Sequence, residues 1–473
     1  MLTPLLFACA FLISPSGGLP MASLPASLLT NGTVPSALAA VHPPAACKDI
    51  DSCRTRGTII CSSLVTILAC VWTAVHRNIP GPSPPGELRL RRFVLRMLEM
   101  MKIVVATSLV PEWVLAWAVR QFLNARDLAR ELEAVRCPAE GAWKEKGWLE
   151  GDAGCLTRCR CSGRQTFSKS SLALDEHAGR LRDKWTTRHG FFVIMGGFYL
   201  YRNGEPQHPL SRQEVVKLVK AGDLVPPTED EIRGWSQGDS LSKSFAIAQT
   251  LWFIVQCIAR PIEHLPITQL ELVTLAYTAI TFAMYGAWWH KPQNVGSSVR
   301  VAMAELPEQE QPRQPARYWR IYEVMAGAQP DIYVDLRKQS CVPTFYGGSI
   351  GGDDNAAASA DLIAVVAAMI FGAVHCAAWN SAFPSRTEEL IWRVSSAVIV
   401  AIPGAIVLVP AGFSGLGYEN FFGGTHLLLC FLAGPMYIAA RMVLLVLSFT
   451  TLWSLPYQAY QTVQWTLRMP HVA

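Results

Sequence analysis

The chain has 473 residues, 51% hydrophobic and 16% charged, with a mean hydropathy of +0.24 and 15 tryptophans. Soluble domains carry about 25% charged residues, so this composition argues against a soluble enzyme and for a chain that crosses a membrane several times. A dispersed net charge of +5 gives no footing for nucleic acid, and 13 scattered cysteines lack the rhythm of metal ligands.

Residues 1–26 read as a signal peptide, because "MLTPLLFACAFLIS" has h-region length although it lacks a basic n-region. Cleavage is expected between Gly18 and Ala26. Residues 27–56 then form a luminal tail, with a glycosylation sequon at Asn31 and a small disulfide loop between Cys47 and Cys53 as candidates. These features route a multi-pass protein into the secretory pathway, to the endoplasmic reticulum or the plasma membrane.

Residues 57–119 hold the first membrane segments. The span 57–75 is followed by a Pro/Gly break and by Arg89, Arg91, Arg92 and Arg96, a cytosolic signature. The next apolar run, 103–119, is short and carries Pro111 and Glu112 at its centre. Two readings stand. Either it spans with a costly buried glutamate, or it is a re-entrant hairpin shielded by protein. The second places residues 120–244 in the cytosol as a polar domain.

Within 121–243 there are 19 Lys+Arg and 17 Asp+Glu. A helical arm and a cysteine-rich linker, "CLTRCRC", lead to a small α+β unit. That linker is a weak metal or palmitoylation candidate. In the α+β unit "HGFFVIMGGFYLY" reads as a strand or hairpin, and "LSRQEVVKLVKAGDLV" as an amphipathic helix stopped by glycine.

Residues 245–290 contain two spans, 245–262 and 269–289. Thr268 and Glu271 form a capping-box pattern, and Trp288, Trp289 and Lys291 mark an interfacial end. Residues 291–360 read as a polar loop ending in a glycine-rich linker around Asp353 and Asp354, which is no phosphate loop. Three spans follow within 361–450, namely 361–380, 392–412 and 426–449. The aromatic residues of 451–473 suit an interfacial C-terminal helix.

Few polar residues sit inside apolar sequence. Ser385 and Glu388 repeat the capping-box spacing, and Arg393 can snorkel to the interface. Gln249 and Gln256 share a helix face and suit helix–helix glue. His375 reads as a proton carrier or ligand contact, or else as a histidine bonded to a neighbouring helix. Arg441 must meet a carboxylate, carbonyls or a polar cavity. Glu112, His375 and Arg441 are therefore the candidate catalytic set. No motif supplies a reaction class, a metal or a cofactor.

Five stretches taken in order carry a family resemblance: "CRTRGTIICSSLVTILACVWTAVHRNIPGP", "WTTRHGFFVIMGGF", "GDSLSKSFAIAQTLWFIVQCIARPIEHLPITQLELVTLAYTAITFAMYGAWWHKPQNV", "FGAVHCAAWNSAFPSRTEELIWR" and "QTVQWTLRMPH". The chain resembles multi-spanning membrane proteins of filamentous fungi. The resemblance implies a fungal source, a leader, about six or seven helices and a polar insert, and it passes on no catalytic residue.

The expected fold class is an all-α polytopic membrane protein of about six to seven transmembrane helices with a small α+β insert. The expected partner is the bilayer itself, with a lipid or isoprenoid as candidate ligand and no nucleic acid. The leading function is a membrane scaffold or sensor. The alternatives are an intramembrane enzyme on a lipid or isoprenoid, using Glu112, His375 and Arg441, and then a transporter.

Overall fold

The computed structural model describes residues 53–82, 86, 88–145, 184–236, 240–302, 334–348, 354–415 and 419–463. The leader, Asn31, Cys47, the linker near 155–161 and Asp353 lie outside the described residues. Cys53 is disulfide-bonded.

In chain order, α1 (Arg56–Ala74) is followed by α2 (Arg89–Leu109) and α3 (Pro111–Glu145). The polar unit holds α4 (Thr187–Ile194), β1 (Phe198–Arg202), β2 (Glu205–Pro209), α5 (Arg212–Ala221) and α6 (Glu229–Trp235). Then come α7 (Ser240–Ile262), α8 (Gln269–Ala287), β3 (Val299–Ala302), α9 (Asp354–Cys376), α10 (Arg386–Gly415), α11 (Glu419–Thr450) and the single turn α12 (Tyr457–Tyr460). Among the described residues six helices, α1 and α7–α11, are long and apolar enough to cross a membrane. The protein is mostly helical, with a small mixed sheet.

The two ends of the bundle are fixed by polar contacts. At one end Arg54 forms a bidentate pair with Glu271 at the start of α8 and donates from Nε to the Ala459 carbonyl at 2.8 Å. Arg260, ending α7, donates to the carbonyls of Ala459 and Gln461. Residues 53 and 461 form a β-bridge here, so the start of α1 and the C-terminal segment share one face. Of the expected C-terminal interfacial helix, the described residues up to 463 show a 3-10 turn at Thr451–Ser454 and the one turn of α12, separated at Leu455-Pro456. Thr268 and Glu271 make the full capping box. The box at Ser385 is half made: Ser385 accepts from the Glu388 N–H, and Glu388 does not return the bond.

The segment around Pro111 is a helical hairpin. Proline cannot donate an N–H, so α2 ends at Leu109 and α3 begins at Pro111, a favoured first helical position. Both arms open toward the end of the bundle opposite Arg54. On α2 the Arg96 carbonyl accepts from Arg77; on α3 Gln121 donates to Asn78. The tip lies ten residues of helix from Gln121, about 15 Å away. Tyr277, midway along α8, donates to the Ser108 carbonyl at that tip.

The polar unit differs from the expectation in two places. "HGFFVI" is helix α4, not strand, with Phe191 and Phe192 fully buried and Thr186 and His189 forming its capping box. The chain turns at Gly196 (φ +87°), where a Cβ would press on Val342, and only then enters β1. The stretch read as a polar loop supplies β3, which pairs parallel to β1 in the order β2-β1-β3. Its pairing is non-local and leaves no period in four residues.

Candidate functional site

The three residues singled out in the sequence lie within one region. Arg441 projects from α11, Glu112 stands at the first turn of α3, and His375 is in the last turn of α9. Arg441 Nη1 meets Glu112 Oε2 at 2.9 Å, and both side chains are over 90% buried. The guanidinium also donates to the hydroxyls of Tyr437 (3.2 Å) and Tyr277 (3.4 Å) and stacks over Phe371 at 4.1 Å. A lone arginine here would carry several kcal/mol of desolvation cost; the carboxylate and the three rings offset it. Glu112 Oε1 is buried without a hydrogen-bond partner among the described residues.

The His375 ring bonds its own helix and, among the described residues, no neighbouring one. Its Nδ1 lies 2.8 Å from the Phe371 carbonyl of its own helix. A carbonyl only accepts, so Nδ1 carries the proton and Nε2 of the neutral ring is left as an acceptor. The ring rests against Phe371 and Trp392. The position is fixed from outside as well, since Trp392 Nε1 donates to the His375 carbonyl at 3.1 Å.

His375 and Arg441 line one cleft with Ser108, Tyr277, Phe371 and Ile438. It is small: its own cavity volume is about 20 Å³, room for about one water molecule or a ligand hydroxyl. Leu109, Ile438 and Met442 beside it are exposed on the bundle surface, so its mouth faces sideways, toward hydrocarbon if the bundle sits in a bilayer.

A second polar cluster lies where the bundle meets the polar unit. Lys291 is 3% exposed, and its ammonium donates to the His76 carbonyl (2.5 Å), Gln121 Oε1 (2.8 Å) and Asn78 Oδ1 (3.2 Å). Trp117 and Trp288 place their faces about 5 Å from it. Burial pushes the Lys291 pKa well below its ordinary value. Lys291 and Trp288 are thus a buried cage, not interfacial anchors; Trp289 alone is the exposed member. The local reason is that α8 ends at Trp288 under α3, which covers it.

α3 joins the two clusters. Beyond Gln121 it presents Asn124, Asp127 and Glu131, spaced i, i+3, i+7, to Arg212 at the start of α5. Burial works against the Arg212 charge, but the two acids outweigh it and raise its pKa. Asn124 and Gln121 also donate to the carbonyls of Gly347 and Tyr346. One helix therefore runs from the Arg441 pair to the core of the polar unit.

Sequence reasoning missed Tyr277, Tyr437, Lys291 and Arg212. Tyr437 had a signal, standing one turn before Arg441; the others act through contacts remote in sequence. Gln249 does donate to Thr66 across helices, at 3.4 Å. Among the described residues no His/Cys/Asp/Glu group could hold a metal ion.

Residues 33–309, more than half of the chain, match the model of a family of unknown function, DUF8562. The chain belongs to that family. No curated protein and no solved structure matches it. The family model covers Glu112 and the Lys291 cage and stops before His375 and Arg441.

Proposed function

We propose that this protein is a membrane-embedded sensor of a lipid-like ligand, and that its polar unit reports occupancy of the mid-bundle cleft. The observation that carries this reading is α3, which begins at the Glu112–Arg441 pair and ends packed on α4 and α5. A ligand hydroxyl can donate to His375 Nε2 while its chain stays among Leu109, Ile438 and Met442. Any shift of the hairpin tip then moves the Arg212 contacts, because a helix transmits displacement along its axis.

In this reading the bundle spans a bilayer and α2–α3 is re-entrant, its irregular turn shielded by protein. The disulfide at Cys53 supports an oxidising compartment of the secretory pathway for the Arg54 end. The arginines of α2 favour a cytosolic polar unit. The resemblance to fungal membrane proteins suggests the source. The rival reading, an intramembrane enzyme, is favoured by His375 and Arg441 sharing a cleft. It is weakened because Glu112 is engaged as the counter-ion of Arg441 and does not line that cleft.

The test uses the full chain in nanodiscs with a diazirine-bearing long-chain alcohol. Photolabelling should concentrate on peptides containing Ser108, Leu109 and residues 438–445, and Ile438→Trp should suppress it. The same variant should change hydrogen exchange at residues 120–131 and 212–221. Even labelling of all lipid-facing helices, or unchanged exchange, would refute the sensor.

A further inference from the structure

We propose that the first half of α2, together with Arg77, is a docking surface for the phosphate groups of anionic phospholipids in the adjoining leaflet. The inference needs the bundle to sit in a membrane but not the sensor reading. Arg89, Arg92 and Arg96 recur at i, i+3, i+7 and so form one row on α2. The row leads to Arg77 beyond the end of α1, whose Nη1 donates to the Arg96 carbonyl at 3.4 Å. Arg77 Nε is buried without a partner among the described residues.

Among the described residues no carboxylate pairs with Arg77, Arg89 or Arg96, and the first turn of α2 has no acidic residue. The nearest acid on the helix, Glu99, is taken by Lys102 at 2.6 Å. Arg91 and Arg92 have interactions of their own, so the argument rests on the other three. Burial and the like charge of Arg96 pull the Arg77 pKa down from its ordinary value. Two like charges near one another, with no carboxylate paired to either among the described residues, are a local conflict that a phosphate resolves.

The apolar side of the same helix selects a lipid as the source of that phosphate. Leu90, Val94, Leu98, Met101, Val105 and Leu109 are all exposed, and they form a second stripe along the full length of α2. A soluble phosphate would meet only the arginines, whereas a phospholipid satisfies both stripes at once. Juxtamembrane basic residues attract anionic lipid with about 1 kcal/mol each, about fivefold per residue.

The experiment is native mass spectrometry of the full-length protein in detergent, titrated with phosphatidic acid or with phosphatidylcholine of the same chains. Wild type should bind phosphatidic acid well above phosphatidylcholine, and less so as salt is raised. Arg89→Gln should lower the phosphatidic acid affinity by about fivefold, and R77Q/R89Q/R96Q by about 100-fold. Arg89 is exposed and makes no contact whose loss could unfold the chain, so the single variant stays informative if the triple one misfolds. An unchanged preference in Arg89→Gln would overturn the proposal. So would displacement by inorganic phosphate at equal concentration, since that would make the surface a site for a soluble anion.

Discussion

Replacing Glu112 by Gln keeps the shape of the side chain and removes its charge, leaving the Arg441 cation 7% exposed and facing neutral groups, namely the amide oxygen, tyrosine hydroxyls and ring faces. Breaking a buried ion pair at one end costs about 3–5 kcal/mol, while replacing both ends by apolar or neutral groups is often close to neutral. The hydroxyls of Tyr277 and Tyr437 stay as acceptors, so the lower part of that range is expected, about 3 kcal/mol. The double variant Glu112→Gln/Arg441→Met should recover most of the loss. The assay is reversible denaturant unfolding of the purified full chain in one detergent, run as a double-mutant cycle with wild type and both single variants. If Glu112→Gln costs under about 1 kcal/mol, the figure for a solvent-exposed pair, then water reaches the pair. The hairpin tip would not be locked, and the argument for α3 as a transmitting rod would fail with it.

Three further outcomes are expected. Gly190→Ala should destabilise the polar unit by about 1–3 kcal/mol in unfolding curves, because a Cβ there would overlap the Ala125 carbonyl where α4 crosses α3. Lys291→Met should cost about 1–3 kcal/mol, since the His76 carbonyl loses the ammonium, while Asn78 keeps Gln121 and Gln121 keeps Trp288 as donor; a stability equal to wild type would show that the cage is dispensable. Glu133 has its pKa lowered by its hydrogen bonds to Arg136 and to the Trp185 N–H. A carboxylate with a depressed folded pKa stabilises above its unfolded value of about 4.3 and loses that contribution as pH falls through the folded value. Local hydrogen exchange near Trp185 should therefore rise on acidification below about pH 4.3, and Glu133→Gln should remove that dependence.

Much of the architecture was legible because helices long and apolar enough to cross a membrane follow a simple code. Six of the spans needed only length and apolarity, and their ends in the structure fall within several residues of the expected ones, as for 57–75 against Arg56–Ala74. The hairpin was legible as an alternative, since Pro111 and Glu112 in a short apolar run admit few solutions. The cost of burying Glu112, His375 and Arg441 marked each of them for attention, and the two charges do meet. What sequence could not say was that His375 would bond its own helix, or that β3 would come from a segment without strand character.

The length and apolarity of the segments of the sequence by themselves determined the six long helices and where proline must break one, and marked Arg441 as needing polar company. The tertiary structure alone decided that Glu112, 329 positions away, supplies it, and that Lys291 closes a cage with Trp117 and Trp288. The physical reason is range. Helix formation and membrane partition sum over neighbouring residues, so a window of sequence contains them. An ion pair or a cation–π contact depends on two positions brought together by the packing of every helix between them.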